Sequence, residues 1–325
     1  MITLSDAVID NPAVWTADEL RADPSWTIAW TDGEIAEMHA LVAASRHGGD
    51  VEAPLLKARL DRIAHGLETG RGLYVLRGAP VERWSEAEAE ALTLWIGRQL
   101  GTPRGQNDKG ALVTAVRDVG ADYARDAEAR GYMSNAELQP HTDGCDVTGL
   151  LCLARAKSGG ETCIASSLAI YNHILETEPE LLEPLIAGLP YYLRDADGRG
   201  GRLLDRPVPV YFAEDGTISA FFNGKSVEVG VERRGVPLDP LERRALDRVR
   251  ALANDLQFCA ELMLEPGDLL VFSNWTTFHS RKEFVDQDDP AHRRCLLRLW
   301  IHSKYERPLP AWIAASARGG LGGSS

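Results

Sequence analysis

With 325 residues, the chain is long enough for one large domain with a closed core, and its 44% hydrophobic and 26% charged residues are an ordinary balance for a globular protein. A formal charge of −13 excludes a protein that clings to nucleic acid, because phosphate backbones reward basic surfaces. No apolar run approaches the roughly 20 residues that span a bilayer, and the start MITLSDAVIDNPAVW has no basic patch before an apolar block, so a cytoplasmic protein is expected.

The first third is expected to be mostly helical, with apolar residues at three- and four-residue spacing over 32–44 and 54–66. A short apolar run at 72–78 suits a buried strand. Ser85 and Glu88 form a capping box for the next helix, which turns Leu92, Trp95, Ile96 and Leu100 inward and stops at Gly101. The polar, glycine-containing stretch 105–129 is expected to act as a lid. From residue 140 strands dominate: 148–153, a Gly159-Gly160 turn, 162–165, a helix over 169–177, then strand-like pieces at 190–194, 208–212 and 218–223. Asp239 caps a long helix in which Leu241, Ala245, Val249, Leu252 and Leu256 share a face. Two final strands, 269–274 and 295–301, bracket a polar loop, and the glycine-rich tail 319–325 is expected to be disordered. There is no internal repeat.

Many strands plus covering helices predict an α+β or mainly β fold, an antiparallel sandwich or barrel, rather than a doubly wound sheet. One domain is expected over 1–318, with a helical part at 1–70 and a strand-rich core at 71–302. The five cysteines, Cys145, Cys152, Cys163, Cys259 and Cys295, are odd in number and form no CxxC pair, which points to buried free thiols.

His141 and Asp143 stand two apart in an extended segment, so both side chains face one side. Imidazole nitrogen and carboxylate oxygen suit iron(II), and a second imidazole completes one triangular face of an octahedron. Alone, the pair is weak evidence, since Asp and Gly are common turn residues. His279 follows a strongly apolar strand introduced by the turn Glu265-Pro266-Gly267-Asp268. His39, His47, His65, His173, His292 and His302 are less well placed, although a histidine at a strand end can also be hydrogen-bonded structure. Arg294, Leu296 and Arg298 alternate, which puts both arginines on one side of a strand. Unpaired buried charge is costly, and the planar guanidinium fork suits a carboxylate; a charged rim is the alternative.

Together these pieces resemble the taurine dioxygenase-like (TauD/TfdA) family of iron(II)- and 2-oxoglutarate-dependent oxygenases, over residues 70–302. The elements stand in family order: the 72–78 strand, His141-Thr142-Asp143, Ser158-Gly159-Gly160-Glu161-Thr162, Asn274, His279, and the arginines at 293, 294 and 298. The resemblance implies a double-stranded β-helix, or jelly-roll, core with covering helices. It implies His141, Asp143 and His279 as iron(II) ligands, with Thr162 and Arg294 on the far carboxylate of 2-oxoglutarate. Arg298 would lie near the substrate's acid group or the cosubstrate's inner end. O2 is the oxidant and succinate and CO2 the coproducts.

Asn135 and Gln139, just before the ligands, and Asn223 and Lys225, in a turn after a strand, are the expected substrate contacts. A small or medium metabolite bearing an acid group, amino-acid-like or a biosynthetic intermediate, is the expected substrate, and hydroxylation the expected reaction. Desaturation, epoxidation and cyclisation stay open, as does a non-catalytic jelly roll that binds a small molecule. Asp143 stands where related halogenases carry a small residue, so chlorination is disfavoured. The loop from His279 to Arg294 is longer than in taurine dioxygenase, and nothing around Arg298 singles out a sulfonate, so taurine is not expected. A hydroxylase acting on a macromolecule shares the same metal face. A zinc hydrolase would leave Arg294 and Thr162 without a purpose. A homo-oligomer is compatible with the resemblance.

Overall fold

Alternation along the strands sends successive side chains to opposite faces, and this builds two facing sheets with helices outside both. The computed structural model describes residues 4, 8–49, 51–107, 109–120, 131–194 and 200–313. The tail 319–325 and the 121–129 part of the expected lid lie outside these residues.

The strands of the two sheets are β1 (Thr27–Ala29), β2 (Leu73–Arg77), β3 (Gly101–Pro103), β4 (Val113–Val116), β5 (Leu138–His141), β6 (Val147–Ala154), β7 (Thr162–Ser166), β8 (Cys259–Leu262), β9 (Leu269–Ser273), β10 (Thr277–Arg281) and β11 (Cys295–Ser303). The larger sheet runs β1-β2-β9-β6-β11-β3, with β4 also on β11. The smaller runs β8-β7-β10-β5. Only β1 and β2 pair in parallel among these neighbours.

Leu150 and Cys152 of β6, Leu270 and Phe272 of β9 and Leu296 of β11 meet Ile164 of β7 and Ala260 of β8 between the sheets. The residues of opposite phase, Val147, Leu151, Val271, Leu297 and Leu299, pack under helices α1 (Asp32–Ser45), α2 (Pro54–Thr69) and α3 (Glu86–Leu100). On the far side, Cys163, Ala165, Cys259 and Phe278 are covered by α4 (Ser167–Thr177), α5 (Gly224–Arg234) and α6 (Pro240–Asn254). This is the jelly-roll core with covering helices that the resemblance implied. The five cysteines are buried and free.

The capping box of Ser85 and Glu88 opens α3, and a second, Asp239 with Glu242, opens α6. Elsewhere the local reading shifts. Leu256 lies beyond the end of α6 and is 59% exposed, so it does not share the buried face. The expected strand 218–223 ends at Ala220, and Asn223 caps α5 with Lys225 inside that helix rather than in a turn. Two glycines and three valines give α5 poor intrinsic propensity. It is held instead by the Asn223 cap, by left-handed Gly235 at its end and by burial of Val227. Gly230 lets the helix approach the chain at Pro190, where a Cβ would meet backbone at 2.9 Å. Within the stretch expected as a lid, 113–116 is strand β4, locked onto β11.

Candidate active site

Beside the apolar layer between the sheets, polar side chains of both sheets line one cavity: His141, Thr162, His279 and Arg281 from the smaller sheet, Thr148, Arg294 and Arg298 from the larger sheet and the turn before β11. His279 follows the apolar strand β9, as the sequence suggested, and itself sits in the middle of the next strand, β10, directly opposite His141 at the end of β5. The rings lie 4.1 Å apart between centroids. Asp143 is two residues past the strand end, and its N–H donates to Asn274 Oδ1 at 2.9 Å, which fixes the turn. One ligand-competent atom from each of His141, Asp143 and His279 lies within 4.8 Å of the others.

The protonation states suit a metal. His141 Nδ1 lies 2.9 Å from the Gln139 carbonyl, which can only accept, so Nδ1 carries a proton and Nε2 is the nitrogen turned toward Asp143, 3.9 Å from its Oδ1. Burial, reinforced by His141, drops His279 to about 3, so its imidazole is neutral. Burial alone would raise Asp143, but the Arg298 guanidinium leads the effects that outweigh it and hold the carboxyl at about 2. Asp143 Oδ2 accepts from Thr148 Oγ1 and from Trp300 Nε1, both at 2.9 Å, leaving Oδ1 for a ligand bond. Outer partners of this kind orient the atoms that bind metal.

Behind this triangle, a cavity of about 50 Å³ runs between the sheets, lined by Thr162, Arg281, Arg294, Leu296 and Arg298 along with the three ligand candidates. Arg294 is 4% exposed, with its guanidinium 5.0 Å above the Phe284 ring. Its Nη1 is buried without a hydrogen-bond partner, and burial lowers its basicity. A buried guanidinium with an unused N–H, beside the Thr162 hydroxyl, fits a carboxylate entering the cavity. The Gly159-Gly160 turn makes room for it. Gly160 has φ +82°, and a Cβ there would stand 3.1 Å from Arg294 Nε. Gly160→Ala is therefore expected to cost more than about 1 kcal/mol, read from urea unfolding, because Ala must also take a left-handed backbone.

In front, a second cavity of about 200 Å³ opens on His141, Asp143, Arg298 and Trp300 and is lined by Gln139, Asn223 and Lys225. A third, of about 500 Å³, shares Gly144, Tyr191, Leu193 and Phe221 with it and adds Trp275 and Trp312. Asn135 lies outside all of these; it is exposed, and its carbonyl accepts from Phe284 N. Sequence reasoning missed Thr148, Trp300, Arg281 and Gln106. Trp300 could have been found from its position two residues after Arg298, on the same face of β11.

The family described as "Taurine catabolism dioxygenase TauD, TfdA family" matches residues 34–300. FR-33289 synthase of Streptomyces rubellomurinus is 31% identical over 331 residues, covering 97% of this chain and 96% of that protein. A uridine-5'-phosphate dioxygenase of a Streptomyces species is 28% identical over 251 residues, covering 69% of this chain and 84% of that protein. In fold the chain is similar to an asparagine oxygenase solved with Fe(II), 2S,3S-3-hydroxyasparagine and succinate, at TM-score 0.68 and 18% identity, covering 85% and 93% of the two chains. The chain belongs to the TauD/TfdA family and is an iron(II)- and 2-oxoglutarate-dependent oxygenase.

Proposed function

We propose that His141, Asp143 and His279 hold the iron, that Arg294 and Thr162 anchor the far carboxylate of 2-oxoglutarate, and that a small or medium metabolite with an acid group is hydroxylated in front of them. The observation that carries this is the buried, unpartnered Nη1 of Arg294, in the same cavity as the His-Asp-His triangle. Iron(II) with 2-oxoglutarate supplies the oxidising power when bound, converting O2 and the cosubstrate to succinate, CO2 and an oxygen atom for the substrate. The protein's part is placement. Arg294 and Thr162 fix the depth of the cosubstrate, and Leu296 and Val116 line its channel. Arg298 borders both the rear and the front cavity, with Nη1 3.8 Å from Asp143 Oδ1. There it meets the cosubstrate's inner end and the acid group of the substrate.

Lys225 adds positive charge to the front cavity, while Gln139 and Asn223 contribute polar edges. The names of the relatives support an acid-bearing substrate: one is a uridine-5'-phosphate dioxygenase, and the asparagine oxygenase was solved with a hydroxylated amino acid. The adjoining 500 Å³ chamber leaves room for a substrate larger than an amino acid. The acidic chain, in which no helix among the described residues is long and apolar enough to cross a membrane, supports work on a small molecule in the cytoplasm.

A panel of amino acids, organic acids and phosphate esters, run beside their uncharged amide and ester analogues and a lysate protein fraction, tests the substrate class, with succinate release and product mass as readouts. One acid-bearing compound should raise succinate formation and gain one oxygen atom. Turnover confined to uncharged compounds, or to a protein substrate, would refute the class. Trp300→Phe removes one of two donors to Asp143 and is expected to weaken iron(II) binding about tenfold, by calorimetric titration without O2.

A further inference from the structure

Gln106 lies in the loop between β3 and β4, far from any motif, yet it is only 2% exposed. Its side-chain amide is fully used. Oε1 accepts from Arg298 Nε at 2.8 Å, and Nε2 donates to the carbonyls of Arg298 at 2.8 Å and Leu112 at 2.9 Å. Gln106 thus grips Arg298 by side chain and backbone at once. Its own N–H donates to Ala111 O at 3.0 Å, which closes the loop on itself. The loop then passes directly into β4, where Thr114 pairs with Arg298 across the sheet.

A guanidinium has two usable edges. With Nε–H given to Gln106, the Arg298 fork cannot turn that edge to the site. It presents its Nη end to the metal face, with Nη1 3.8 Å from Asp143 Oδ1, while the Trp300 ring supports the plane at 4.8 Å. We propose that Gln106 is a positioning residue for the reaction, setting the direction from which Arg298 meets the inner carboxylate of 2-oxoglutarate. This rests on the reading of Arg298 given above. Few other side chains would serve. Glutamate would keep an acceptor for Nε but set a charged oxygen against two carbonyls. Leucine matches the bulk of glutamine and drops the grip, leaving the arginine free to swing.

The test is a double-mutant cycle read as the dissociation constant of 2-oxoglutarate, from the visible charge-transfer band of iron(II)-loaded protein without O2. Gln106→Leu should weaken 2-oxoglutarate about tenfold, the scale of a lost hydrogen bond to a charged group. Arg298→Lys should weaken it by a similar factor. The double variant should be no worse than Arg298→Lys alone, because Gln106 acts only through Arg298. A residue that merely supports the loop would give effects that multiply, and that result overturns the proposal, as does Gln106→Leu binding like the parent. An unchanged constant in Arg298→Lys would instead strike the reading of Arg298, and the inference with it. No band in the folded parent would strike the cofactor site as a whole. If Gln106→Leu does not fold, Gln106→Met carries the same comparison.

Discussion

His279→Ala is expected to lose iron(II) binding by well over about 100-fold, since even the outer partners of a metal ligand are worth 10–100-fold, and turnover should vanish with it. The fold should survive. His279 Nδ1 has no hydrogen-bond partner and Nε2 stands 3.8 Å from Asp143 Oδ2, beyond hydrogen-bond distance, so the ring contributes little polar bonding to the fold. What the variant gives up structurally is packing, against the rings of His141 at 4.1 Å and Phe272 at 4.7 Å. A histidine kept for structure would show the reverse pattern, with both nitrogens satisfied and stability lost on removal. Iron stoichiometry after desalting, alongside thermal unfolding, separates the two. Full metal content in a folded His279→Ala protein would contradict the assignment.

Arg294→Ala should leave the iron in place and remove the cosubstrate. A buried guanidinium paired with a carboxylate is worth about 3 kcal/mol when one partner is truncated, or roughly a 150-fold rise in the dissociation constant of 2-oxoglutarate. The apo-protein should lose little, because Arg294's one side-chain hydrogen bond, to the Gly160 carbonyl, is long at 3.5 Å. Removal of a buried, incompletely paired charge can even raise stability. Together, a steep loss of cosubstrate affinity and an unchanged or higher unfolding midpoint distinguish an anchor from a structural arginine. Equal 2-oxoglutarate affinity in parent and variant would show that the far carboxylate lies elsewhere.

Much of this site was legible because its signals are local. Alternation along 294–298 put Arg294 and Arg298 on one face, and both line the cavity despite a register shift between Cys295 and Leu296. The two-residue spacing of His141 and Asp143 carried over, although Asp143 falls just past the strand. The order of the motifs, rather than any one of them, carried the family. Other parts were hidden for physical reasons. Gln106 is one glutamine in a polar loop, and only the tertiary fold brings it to Arg298, 192 residues away. Helix α5 is rich in valine and glycine, so propensity opposed it and its cap and packing decided. Asn135 sits near the ligands in sequence, but the chain turns its side chain outward before β5 begins.

The cofactor site itself is tested most directly by titrating metal-free protein with iron(II) and 2-oxoglutarate in the absence of O2, following visible absorbance. A broad band that saturates at one equivalent of each is the expected result, given one His-Asp-His cluster among the described residues and the buried Nη1 of Arg294 in the same cavity. Correctly folded protein that binds neither, or binds iron without ever developing the band, would contradict the assignment of these residues to the metal and its cosubstrate.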